Sequence, residues 1–169
     1  MKKQVDLRKA VLWGSVAWIA HLVIGNLIWM NPWSVALNQK YTGHPTIKTF
    51  EFVGGISNWL LLTFGFGLLL TFFFIALYLR FYESIPGTGW KKGLVFGLIV
   101  SVLKAVPEVF NQWMLFVYPT ELIVQQLINT LIGTILFFMV LAWLYHRFKV
   151  VQIPAIDRKN KIAPSVVST

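Results

Sequence analysis

Four stretches of this chain are apolar for long enough to cross a lipid bilayer, near residues 10–30, 56–81, 89–118 and 121–148. About 20 apolar helical residues cover the hydrocarbon core, and there a helix satisfies its backbone donors and acceptors within its own segment. The runs leave no length for a separate soluble domain. Composition agrees: 57% of the residues are hydrophobic and 12% charged, with a mean hydropathy of +0.68. A soluble domain carries about 25% charged residues. The expectation is an all-α polytopic integral membrane protein, with four transmembrane helices in one antiparallel bundle over residues 1–148. Residues 149–169 are expected to form a basic, disordered tail.

A formal charge of +9 raises the question of nucleic acid, but the basic residues gather at helix ends and not along one groove-tracking face. Lys2, Lys3, Arg8 and Lys9 precede the first span, and Arg80, Lys91 and Lys92 flank the second connection. Arg147, Lys149, Arg158, Lys159 and Lys161 follow the fourth. The opposite side has only Lys40 and Lys48. This is the positive-inside bias. It predicts both termini in the cytoplasm, a multi-pass protein of the cell membrane (of the bacterial inner-membrane type), and no nucleic-acid partner.

The chain has no cysteine, which excludes disulfides, thiolate catalysis and Cys-ligated zinc or iron–sulfur centres. The basic start and following apolar run resemble a signal peptide. That run, however, contains Trp13, Trp18 and His21 and ends at Asn31-Pro32 without a small-x-small site, so a retained helix is expected. Proline cannot continue the helical ladder, so the first span should stop there. Residues 31–55 then form the one sizeable outer loop, with a short interfacial helix from Thr46 and a bend at Gly54-Gly55. Trp29, Trp33 and Trp59 suit an aromatic belt. The Tyr118-Pro119-Thr120 turn, with Thr120 as a candidate N-cap, forces the third and fourth spans into a hairpin.

Charge at membrane depth is costly and marks a functional site by default. Lys104 and Glu108 lie inside the third span, with Pro107 between them. On a helical wheel, Ser101, Lys104, Glu108, Asn111 and Gln112 all fall within an arc of about 100°. This polar stripe should face the bundle interior or an oligomer contact. Gln125, Gln126, Asn129 and Gly133 form a matching stripe in the fourth span. Glu108 and Asn129 both lie about 15 Å from the tight turn, so the stripes are expected to meet. His21 sits at comparable depth in the first span. The expected intramembrane polar site is therefore Lys104, Glu108, Asn111, Gln112, Gln125, Asn129 and His21. Pro107 should act as a kink that frees the Leu103 carbonyl.

Three readings follow. The first is a non-enzymatic membrane-embedded subunit or oligomer-forming protein whose polar seam binds a partner helix or small ligand. Lys104 and Glu108 would then be a self-neutralising i, i+4 pair. The second is a small ion- or proton-coupled transporter using Glu108. The third, a membrane-embedded lipid-modifying enzyme, is the weakest. There is no Gly-x-Ser-x-Gly, no His-Glu-x-x-His and no phosphate-binding glycine loop, and Asp6 and Asp157 lie in the tails. No catalytic residue, metal ligand or cofactor is expected. His44 and His146 lie too far from His21 in depth to share a haem. The expected partners are the lipid bilayer and a second copy or another membrane protein.

Overall fold

The computed structural model describes residues 4–45, 50–115 and 117–152. Four of its helices are long and apolar enough to cross a membrane: α1 (Leu7–Trp29), α3 (Ile56–Phe81), α4 (Trp90–Leu115) and α5 (Thr120–Arg147). The fold is all-α, as expected, and span boundaries agree with the sequence reading to within about three residues. The first span begins earlier because Asp6 caps it, its carboxylate accepting the Lys9 backbone N–H at 3.1 Å.

Three local expectations need correction. A further helix, α2 (Pro32–Lys40), occupies the outer connection. Asn31-Pro32 does end α1, but it also starts α2. The Asn31 side chain accepts the Ser34 N–H at 2.9 Å, and proline at the first helical position wastes no hydrogen bond. The interfacial helix expected from Thr46 falls partly outside the described residues, and its described end is one 3-10 turn, Phe50–Val53. Thr120 is the first helical residue of α5 and not its cap, since Pro119 holds the cap position. The bend at Gly54-Gly55 is present, with φ of +85° and +102°, a region that glycine enters without penalty.

The packing is uneven. α5 is the central helix, with α4 along one side and α1 along another, while α3 is held mainly by its inner half. α3 buries Thr71, Ile75 and Tyr78, and every residue from Ile56 to Phe66 is exposed in the single chain. The α4–α5 contact is close because of two glycines. A Cβ on Gly93 would stand 2.0 Å from the Phe138 carbonyl oxygen, and one on Gly97 would stand 2.9 Å from the Ile135 Cα. Small residues four apart let transmembrane helices approach to backbone contact. Tyr78, Phe96, Phe138 and Tyr145 then form an aromatic cluster, with Tyr78 5.3 Å from Phe96 and 6.1 Å from Tyr145.

The two ends of the described chain meet. β1 (Gln4–Val5) pairs antiparallel with β2 (Val151–Gln152), and Asp6 N–H donates to the Val150 carbonyl at 3.0 Å. Trp13 stacks on Phe148 at 3.5 Å, and Tyr145 OH donates to the Ala10 carbonyl at 2.7 Å. Residues 149–152 are therefore ordered against α1, contrary to the expected disordered tail. Residues 153–169 lie outside the described residues. This clasp puts the first and last described segments at one end of the bundle, here called the inner end. Lys92 is buried there, donating to the Tyr82 carbonyl with its ammonium 4.2 Å above the Tyr82 ring.

Candidate functional site

The two polar stripes are on adjacent helices, as the hairpin requires, yet they do not fuse into one layer. The contacts divide them into three parts. In the α4–α5 interface, Ser101, Gln125 and Asn129 are buried. Asn129 Nδ2 donates to Ser34 Oγ on α2 at 3.0 Å, and Asn31 Nδ2 donates to the same hydroxyl at 2.8 Å. Sequence reasoning missed Ser34, because it treated the outer connection as a loop. The Asn31 cap places Ser34 one turn into α2, and α2 lies across the outer end of α5. Lys40 Nζ to Glu121 Oε2 at 2.7 Å and Tyr41 OH to the same oxygen at 3.1 Å complete that attachment. The carboxylate beside Lys40 holds its ammonium pKa above the usual value.

The second part faces away from the bundle. Glu108 and Asn111 are exposed in the single chain, and Gln112 is half-buried. Glu108 Oε1 accepts from Gln126 Nε2 at 3.1 Å. So Glu108 meets the fourth span, through Gln126 and not through Gln125 or Asn129. Gln126 belongs to the same stripe but stands one residue from the glutamine singled out for the site. Among the described residues the ion pairs are Lys9–Asp6 and Lys40–Glu121. Lys104 and Glu108 do not pair, which corrects the expectation of a self-neutralising couple. α4 runs through Pro107 as one helix.

The third part is a cleft of about 240 Å³ between α1, α3, α4 and α5. His21 and Trp18 line it from α1, Thr63 and Thr71 from α3, Lys104 from α4, and Thr134, Phe137 and Phe138 from α5. Lys104 lines the cleft yet is exposed, so its side chain lies at the opening. The His21 ring meets Phe137 edge-on at 5.3 Å, and Gly133 leaves room for it, since a Cβ there would stand 3.6 Å from His21 Cε1. No carboxylate lines the cleft. Buried atoms without a hydrogen-bond partner include His21 Nδ1, Ser101 Oγ, Gln112 Oε1 and Gln125 Nε2. Buried polar atoms are normally satisfied, and four of those without a partner lie on or beside the two stripes.

The structure thus brings Lys104 together with His21, and Glu108 with Gln126, and it leaves Asn111 on the outer surface of α4. Comparison with known proteins finds no matching family model, no matching curated protein and no matching solved structure.

Proposed function

We propose that this multi-pass membrane protein is a non-enzymatic membrane-embedded subunit that assembles through α4, its seam at Glu108 and Asn111 closing on a second copy of the chain. The observation that carries the reading is the exposure of these two residues at membrane depth. A carboxylate and an amide facing hydrocarbon are expensive, and helix contacts in lipid are commonly made by polar side chains and small residues. A two-fold contact brings the same residues of both copies together, so one seam suffices. The bilayer is the cell membrane and the clasped ends are cytoplasmic in this reading, which rests on the clustering of basic residues at the inner end.

The cysteine-free chain makes the test direct. Asn111→Cys in native membranes should give a disulfide-linked dimer on oxidation, and Val106→Cys, on the opposite face of α4, should not. If Asn111→Cys stays monomeric and reacts with a membrane-impermeant maleimide, the seam faces water and the assembly reading fails. A second reading, the proton-coupled transporter, draws support from the absence of an ion pair between Lys104 and Glu108. It requires Glu108→Gln to abolish a proton-linked flux in liposomes while the protein stays folded.

A further inference from the structure

We propose that the cleft between α1, α3, α4 and α5 binds the anionic head of a membrane amphiphile, with Lys104 as its counter-charge and the hydrocarbon tail leaving between α3 and α4. This inference does not rest on the assembly reading, which concerns the Glu108–Asn111 seam.

Charge is the first argument. Lys104 is the one formally charged residue of the cleft wall, and among the described residues it has no hydrogen-bond or ion-pair partner. It is the fifteenth of the 26 residues of α4, about 21 Å from the first and about 16 Å from the last, so neither end of the helix offers a short route to water. An ammonium in that position is stabilised by an anion brought to it. His21 shares the lining and has a buried, unpartnered Nδ1. The hydroxyls of Thr63, Thr71 and Thr134 add donors around the same space. A wall with donors, one cation and no carboxylate selects for negative charge.

Size and access are the second. The cleft is several times the roughly 30 Å³ share of a water molecule. It is smaller than the about 300–1,000 Å³ of pockets that enclose drug-sized ligands. It therefore takes a head and the first part of a chain, and the remainder must lie outside. α3 provides the way out: its outer half is exposed, and among the described residues it meets α4 at the inner end, through Tyr78–Phe96 and Lys92–Tyr82. Across the gap α4 presents Leu103, also exposed. The remaining walls, Trp18, Phe74 and Phe137, suit hydrocarbon.

The test uses the full chain in phosphatidylcholine nanodiscs, with dansyl-undecanoate as the probe and its methyl ester as the neutral control. The acid should bind at least about tenfold more tightly than the ester, equivalent to about 1.4 kcal/mol. Lys104→Met should remove that preference and Lys104→Arg should keep it. Oleate or phosphatidylglycerol is then added as competitor. Displacement by oleate alone identifies a free fatty acid, and displacement by phosphatidylglycerol identifies a phospholipid head. If neither displaces the acid, the proposal is overturned. Equal binding of acid and ester by the wild-type chain also overturns it, and this arm needs no variant to fold. A monodisperse Lys104→Met protein that binds the acid as wild type does would overturn it as well.

Discussion

Replacing Gly93 by alanine probes the contact on which the bundle is built. The added Cβ would lie 2.0 Å from the Phe138 carbonyl oxygen, 2.6 Å from its carbon and 2.7 Å from the Ala142 Cβ. The closest tolerable C–H···O contact is about 3.3 Å, so α4 and α5 must part locally by about 1.3 Å. The obstacle is backbone and cannot swing away as a side-chain tip would. Overpacking a close contact typically costs about 1–3 kcal/mol, and a backbone collision belongs at the upper end or beyond. Against this, alanine is about 0.8–1.0 kcal/mol better than glycine within a helix. The net expectation is a loss of roughly 2 kcal/mol. Gly65→Ala is the matched control, because nothing lies within 4 Å of a Cβ there, and it should be neutral or slightly stabilising. The two variants should therefore differ by about 3 kcal/mol, roughly a hundredfold in the folded-to-unfolded ratio. Reversible unfolding in mixed micelles, followed by near-ultraviolet dichroism, measures the difference. Equal stabilities for Gly93→Ala and Gly65→Ala would refute the close-approach reasoning.

Other expectations are briefer. Glu108→Gln breaks no ion pair and can retain a bond to Gln126, so its cost should stay near the about 0.5–1.5 kcal/mol of one hydrogen bond. A loss of about 3–5 kcal/mol in the same unfolding assay, the signature of a ruptured buried pair, would show that Lys104 and Glu108 pair in the membrane. Ser34→Cys with Asn129→Cys should form a disulfide within one chain, seen as faster gel migration, since the native atoms are 3.0 Å apart. Reporter fusions at residue 169 and within 84–89 should read cytoplasmic and one near residue 41 external; the opposite pattern would invert the orientation. The Asp6 carboxyl is held below its usual pKa, first by the Lys9 backbone N–H and also by the Lys9 charge. Its cap should therefore stabilise the α1 start fully above pH 3.8, and that stabilisation should fade as pH falls through the lower folded value. Hydrogen exchange at Lys9 reads this, and Asp6→Asn should flatten the profile.

The spans were legible because membrane thickness sets a length, and length survives any ignorance of packing. The Tyr118–Thr120 turn likewise dictated the α4–α5 hairpin. Partner choice was less legible. A helical wheel gives the direction in which Glu108 points relative to Lys104, but not which neighbour stands there. That neighbour depends on α5 being central and α3 splaying, and those follow from where backbones can approach. The signal for the approach was in the chain as Gly93 and Gly97, four residues apart on one face of α4. The charges at 104 and 108 are the more conspicuous feature of the same helix. α2 was readable too, since Asn followed by Pro starts a helix as readily as it ends one. The burial of Val150 was not readable. Its segment is short and basic, and it is ordered only by pairing with residues distant in sequence.

The clasp between the first and last described segments has a consequence for biogenesis. α1 emerges from the ribosome before α3, α4 and α5, yet the helix it packs against most extensively is α5, and its contacts with α3 are sparse. Gln4 and Val5 have no strand to join until residues 151 and 152 have been translated. α1 must therefore wait in the bilayer, or be chaperoned there, until α5 has been threaded. A synthesis arrested after α4 would leave α1 without its main docking surface.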